Sequence, residues 1–281
     1  MEKTARVIIV TGANKGIGFA LMKRLVNHRD RPILVLTARN ESNGKKALEE
    51  LNAIKTTSEE TVVFHPLDVT SKESRATFAE WIKEKFGKFD VLVNNAGVKA
   101  PGEILSTYDP SDKDIDLVMG TNYHSLRELT ELLLPLLSSD GKIINVSSEL
   151  GEWWNQGKTF NAIFHKADFS EKDIENIYST YREGAKNKTL RQDGHVRAPY
   201  DLSKAFLNAW THYLLPSQLK GDQQCYTMSP GWCKTDLAES GAPLTPDDGA
   251  DTIEYLIDLP YKYDANLNGK FFHERKPTDF Q

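Results

Sequence analysis

The sequence predicts a doubly wound α/β fold, a parallel sheet with helices on both faces. Three observations carry this. Short apolar runs alternate with amphipathic helical stretches through the first half of the chain. The first run, Arg6–Val10, meets a glycine-spaced turn that opens directly into a helix. Two later runs end in small polar residues, Asn94-Asn95-Ala96-Gly97 and Asn145-Val146-Ser147-Ser148, at the strand ends where open sheets of this class bind ligands. About seven strands are expected. No linker, repeat or low-complexity tract interrupts the 281 residues, so residues 1–281 read as one domain, with an irregular insert at about 151–198.

In order, Arg6–Val10 is short and wholly apolar after its first residue, as in a strand buried on both faces. Gly12, Gly16 and Gly18 follow in the spacing Gly-x-x-x-Gly-x-Gly, with Asn14, Lys15 and Ile17 between them. After a strand and before a helix, such a loop brings backbone close to a pyrophosphate and turns free N–H groups toward it. Pro32–Thr37 is the second strand. Its end carries no acid to read a ribose hydroxyl; Arg39 stands there instead and, with Lys15, suits a 2′-phosphate. That favours NADP(H) over NAD(H). Ala47–Ile54 reads as a helix, Thr61–Leu67 as the third strand, with Asp68 and Val69 at its end. There Asp68 can accept from an adenine amino group.

Ser71–Phe86 is the third helix and Phe89–Val93 the fourth strand. The small residues Asn95, Ala96 and Gly97 after it leave room for a flat ring. A loop, Lys99–Asp112, precedes a long helix to about Leu137. Asn122 falls inside that helix, where a lone polar residue reads as a surface residue. Lys142–Ser148 is the fifth strand. Beyond the insert, Tyr200-Asp201-Leu202-Ser203-Lys204 opens an apolar helix and puts Tyr200 and Lys204 on one face. Gln224–Met228 is the sixth strand, closed by Pro230-Gly231-Trp232, with Thr235 in the loop beyond. A helix over Thr245–Asp258 and a strand at Gly269–Phe272 complete the pattern.

Composition narrows the classes further. A net charge of −5 argues against a nucleic-acid surface, and no apolar run approaches the roughly 20 residues of a membrane span. The first strand begins too early to leave room for a secretion signal, and Cys225 and Cys233 make no disulfide framework. A cytoplasmic protein is expected. The seven histidines show no metal-ligand spacing, so no metal is expected.

Taken jointly, Thr-Gly-x-x-x-Gly-x-Gly, Asn-Asn-Ala-Gly, a helix Asn, a strand-end Ser, Tyr-x-x-x-Lys and Pro-Gly resemble the short-chain dehydrogenase/reductase superfamily across almost the whole chain. The insert, Asn14-Lys15, Ala38-Arg39 and Pro230-Gly231-Trp232 resemble its monomeric carbonyl reductase branch. The resemblance implies a Rossmann-like fold, a catalytic tetrad of Asn122, Ser148, Tyr200 and Lys204, and NADPH contacts from the Gly12–Gly18 loop, Arg39, Asp68, Val69, Asn95, Ala96, Gly97, Tyr200, Lys204, Pro230, Gly231 and Thr235. It also implies a monomer, because the insert covers the face used elsewhere for assembly.

The implied reaction is hydride delivery to a carbonyl carbon, with Tyr200 as general acid. A free tyrosine, at a pKa of about 10, would have to be brought near 7, which needs roughly 4 kcal/mol. A lysine cation about 4 Å away supplies on the order of that at an effective dielectric of about 20. Ser148 would bind the developing oxyanion, and Asn122 a water that relays protons. Trp153, Trp154 and Trp232, with the Lys99–Asp112 loop, are expected to wall the pocket for the small-molecule carbonyl, an aldehyde, ketone or quinone. Glu149, and Tyr226-Thr227-Met228 near the pocket, depart from the branch's pattern. A dedicated alcohol dehydrogenase or ketone reductase of specialised metabolism is the second reading, and a non-catalytic NADPH-binding sensor the third.

Overall fold

The computed structural model describes residues 5–59, 61–103, 108–196, 198–238 and 241–280. Eight strands form one sheet: β1 (Val7–Val10), β2 (Ile33–Ala38), β3 (Val62–Pro66), β4 (Phe89–Asn94), β5 (Leu137–Val146), β6 (Gln224–Ser229), β7 (Phe271–His273) and β8 (Lys276–Thr278). Their spatial order is β3-β2-β1-β4-β5-β6-β7-β8. All pairs are parallel except β7–β8. The order reverses between β1 and β4, so the glycine turn and the Asn94–Gly97 run emerge side by side at the carboxyl edge. Ile8 pairs with Val91 there, and Val10 with Val93.

The helices are α1 (Gly16–Leu25), α2 (Glu41–Ile54), α3 (Lys72–Phe86), α4 (Asp112–Met119), α5 (Ser125–Leu133), α6 (Lys158–Phe164), α7 (Glu171–Asn187), α8 (Pro199–Ala209) and α9 (Pro246–Asp258). Two cores follow from the two sheet faces. One joins Ile9, Val35 and Leu92 to α3, α4, α5, α7 and α8; the other joins Ile8, Val10 and Val91 to α1, α2 and α9.

Three differences from the sequence reading have physical causes. The sheet gains an eighth strand because Glu274 and Arg275 adopt left-handed φ angles of 48° and 64°, making a tight hairpin turn back from β7. The long helix expected over 112–137 is broken: a π-turn, Gly120–His124, joins α4 to α5, and β5 begins at Leu137. Helix α2 starts at Glu41 rather than Ala47, since Asn40 caps it by accepting from the Asn43 N–H at 2.9 Å.

The insert is ordered by its own core residues. Phe160, Phe164, Phe169, Ile174, Ile177 and Tyr181 are buried in the same cluster as α8. Salt bridges fix α7 on the α4–α5 side: Arg182 to Asp112 at 3.0 Å, and Arg127 of α5 to Glu171 at 2.6 Å.

Candidate active site

Tyr200 and Lys204 sit one turn apart at the start of α8, which lies beneath the carboxyl ends of β4 and β5. Lys204 is buried; its Nζ donates to the Val146 carbonyl at 2.8 Å and stands 5.5 Å from the centre of the Tyr200 ring. Burial, then the charge of Lys99, pushes its pKa down to about 7. Ser147 and Ser148 divide their work. Ser147 points inward and donates to the Lys204 carbonyl at 3.3 Å. Ser148 is half exposed, accepts the Leu150 N–H at 3.1 Å, and hydrogen-bonds the Tyr200 side chain in the sense that favours the phenolate.

The tyrosine departs from the expectation of a depressed pKa. Burial raises it well above the ordinary phenol value, the Asp201 and Glu103 charges add to the rise, and Ser148 opposes them. Lys204 cannot offset that burial while its own charge is being driven off.

Asn122 also corrects its reading: it is 0% exposed. The π-turn carries it, widening the helix where it meets α8. Its Oδ1 accepts the Val98 N–H at 2.8 Å, and its Nδ2 donates to the Val98 carbonyl at 2.9 Å and to Ser203 Oγ at 3.1 Å. A Cβ at Gly97 would lie 3.4 Å from Asn122 Oδ1 and 3.9 Å from Lys204 Nζ. The missing side chain at 97 therefore keeps open a space that Asn122 and Lys204 share.

On the opposite side, the glycine turn is laced to the strand ends. Asn95 Nδ2 donates to the carbonyls of Thr11 (2.9 Å) and Gly12 (3.2 Å), while Thr11 Oγ1 accepts the N–H groups of Asn95 and Ala96. Gly12 and Gly16 take left-handed φ angles of 61° and 57°. At Gly18 a Cβ would meet Asn95 Nδ2 at 2.5 Å, so that glycine is what lets α1 approach. No side chain caps α1 at Lys15, which leaves its first N–H groups for an anion.

Asn14 and Ile17 lie in the turn, Ile17 packing toward α9. Lys15 pairs with Asp236 across the gap, and Thr235 lies over Gly16, its Cγ2 3.5 Å from where a Cβ would stand. Arg39 is exposed at the end of β2 and makes no ion pair among the described residues; the neighbouring Glu41 is held by Lys45 at 2.6 Å. Asp68 turns one carboxylate oxygen to the Thr70 N–H and hydroxyl at 2.9 and 2.7 Å. Val69 is half-buried beside it, its carbonyl taken by Arg75 at 2.7 Å. Pro230 and Gly231 line the turn after β6, where Gly231 N–H donates to Ser229 Oγ at 3.1 Å.

The three tryptophans separate. Trp154 and Trp232 are 58% and 56% exposed. Trp153 is 2% exposed and is a core residue rather than a pocket wall: its ring stacks on Phe164, Tyr213 and Phe280, the last at 4.5 Å. Part of the expected Lys99–Asp112 wall, residues 104–107, lies outside the described residues.

The sequence reading passed over three groups around the tyrosine. Lys99 Nζ lies 4.6 Å from the Tyr200 ring centre. Asp201 is raised to about 7, by burial first and then by Glu103. Glu103 is buried under the start of α8. Asp201 was visible inside Tyr-x-x-x-Lys; Lys99 and Glu103 lay in a loop without periodicity, and nothing local marked them.

Comparison with known proteins shows the family. The family model for the short chain dehydrogenase matches residues 6–162. The NADPH carbonyl reductase 3 of Rattus norvegicus is 31% identical over 266 residues, covering 92% of this chain and 93% of that protein. The (+)-neomenthol dehydrogenase of Arabidopsis thaliana is 30% identical over 308 residues, covering 99% of each. Salutaridine reductase from Papaver somniferum has a similar structure, with a TM-score of 0.81 at 29% identity over 96% of this chain and 99% of that one. The chain belongs to the short-chain dehydrogenase family.

Proposed function

We propose that this short-chain dehydrogenase is an NADPH-dependent carbonyl reductase, converting an aldehyde, ketone or quinone to the alcohol. The observation that carries the proposal is the convergence of Ser148, Tyr200 and Lys204 at the carboxyl end of β5, facing the glycine turn across the Gly97 gap.

The residues fit the cofactor. Gly97 leaves a cradle that a Cβ would fill, the α1 N-terminus is uncapped, and Arg39 and Lys15 are cations at the mouth. Arg39 and Lys15 would hold the 2′-phosphate, the Gly12–Gly18 turn the pyrophosphate, and Asp68 and Val69 the adenine end. Asn95–Gly97, Pro230, Gly231 and Thr235 would hold the nicotinamide end. When bound, NADPH supplies the hydride.

The chain's own residues do the rest. Ser148, oriented by the Leu150 N–H, would turn its hydroxyl proton from Tyr200 to the carbonyl oxygen as negative charge grows there. Tyr200 holds its proton firmly in this environment and delivers it to that oxygen. Lys204, with a pKa near neutrality, returns the proton to Tyr200 through the space shared with Asn122. Trp154 and Trp232 form the apolar rim by which a bulky substrate enters.

A single domain acting as a monomer is part of this reading; its support is the pair of salt bridges that tie α7 to α4 and α5. Its expected compartment is the cytoplasm; among the described residues no helix is long and apolar enough to cross a membrane. A second reading, a dedicated ketone reductase or alcohol dehydrogenase of specialised metabolism, draws on the end-to-end likeness to a neomenthol dehydrogenase.

The test is loss of NADPH absorbance with a panel of quinones, terpenoid ketones, aromatic ketones and aldehydes, with NADH in parallel. Turnover across the panel supports the broad reductase, turnover of one terpenoid class the dedicated enzyme, and tight NADPH binding without turnover a sensor. Arg39→Asp is expected to raise the NADPH Michaelis constant at least about tenfold, as for loss of a charge-assisted contact. Unchanged NADPH preference in that variant would refute the 2′-phosphate assignment.

A further inference from the structure

Helix α8 begins without a conventional cap. Its N-cap is Ala198, which has no side-chain acceptor, and Pro199 at the first helical position has no N–H. The first backbone donor of the helix is therefore that of Tyr200 itself. Glu103, from the loop after β4, accepts it: Oε1 lies 2.6 Å from Tyr200 N, and Oε2 lies 2.9 Å from Ala100 N. The carboxylate is 8% exposed and has a backbone partner on each oxygen. A buried carboxylate is costly unless its hydrogen bonds are made, and at a helix start it also meets the positive end of the dipole.

We propose that Glu103 is a positioning residue for Tyr200: its carboxylate clamps the start of the catalytic helix to the loop after β4 and so fixes where the phenol stands. The proposal rests on the reading of Tyr200 as general acid. The clamp joins residues 97 positions apart, on the same loop whose Val98 is held by Asn122. A shift of the loop after β4 is thereby transmitted to the tyrosine backbone.

The clamp also brings charge. Tyr200 is faced by Ser148 from the end of β5, by Asp201 and Lys204 from its own helix, and by Lys99 and Glu103 from the loop. Asp114 of α4 faces Glu103, and Tyr108 and Tyr181 belong to the same group of charges and phenols. Within it Glu103 and Asp201 favour the protonated phenol, so removing one negative charge lets Tyr200 lose its proton at lower pH.

Glu103→Gln keeps the shape, removes the charge, and leaves one of the two N–H groups facing an amide donor. Expected is an alkaline limb of kcat/KM for carbonyl reduction, set by loss of the Lys204 proton, moved down by roughly half a pH unit, because removing a nearby negative charge disfavours that cation as well. With it, kcat falls about fivefold, the kinetic equivalent of one net hydrogen bond, while the NADPH Kd, read from cofactor fluorescence, stays within twofold. Glu103→Asp retains the charge on a shorter stem, so its limb stays at the wild-type pH while kcat falls.

A Glu103→Gln profile that superimposes on wild type, with kcat within twofold, overturns the proposal. So does a lower melting temperature with the limb unmoved, which would make Glu103 structural only. Tyr200→Phe, measured beside it, separates the two readings. Retained turnover there refutes the general-acid role; an inactive Tyr200→Phe with an unmoved Glu103→Gln limb refutes the clamp alone.

Discussion

Two buried lysines, one within β5 and one beyond its carboxyl end, make opposite use of the same desolvation. Lys142 starts the paired core of the strand, and its Nζ donates to the carbonyls of Leu256, Ile257 and Leu259 at 3.1, 2.8 and 2.5 Å. The Tyr261 ring lies 3.9 Å away, with Arg6 on the same ring at 3.8 Å. Lys204 lies beyond the carboxyl end of the strand, with a single carbonyl partner among the described residues and the Gly97 gap beside it. Burial drives both pKa values down to about 7. A perturbed lysine therefore does not by itself mark a site. An ammonium has three donors. Lys142 has used all three to tie off the end of α9, whereas Lys204 donates to one carbonyl among the described residues and stands beside the space left at Gly97.

The comparison is tested most severely by replacing each amine with methionine. Lys204→Met is expected to lower kcat by about 10³-fold, within the range for loss of an acid–base group, with the far-ultraviolet circular dichroism unchanged. Retention of more than a tenth of the wild-type rate would equate the two lysines.

The pH profile comes next. Lys204 is charged below about 7 and neutral above it. Proton return to Tyr200 needs the charged form, so carbonyl reduction is present below that pH and declines as pH rises through it, and alcohol oxidation runs the other way. A flat reduction rate from pH 6 to 9 would contradict this assignment.

The smallest catalytic effect belongs to Lys142→Met. Its kcat and Michaelis constants should stay within about twofold, while denaturant unfolding shows a loss of about 2 kcal/mol for the carbonyls left without a donor. A large fall in kcat at full stability would erase the distinction.

Legibility in the sequence follows the same line between local and long-range causes. The glycine turn, Asn94–Gly97 and Tyr200–Lys204 were readable because their chemistry needs particular residues at short spacing, and the strand–helix alternation gave the sheet its class. Asn122 was misread because a π-turn, not periodicity, turns it inward. Trp153 was misread because its burial is completed by Phe280, at the far end of the chain. Glu103 was passed over because its meaning lies in a contact with Tyr200 across the fold. Lys142 read as one more strand residue, since nothing local reveals that a helix ends above it.

The account turns most directly on the phenol of Tyr200. The measurement is kcat for NADPH oxidation with one turned-over ketone, for wild type and Tyr200→Phe together, with NADPH affinity read from cofactor fluorescence. A fall of at least about 10²-fold in kcat, at an NADPH Kd within twofold of wild type, is the predicted result. Turnover retained in Tyr200→Phe with cofactor bound would contradict the account.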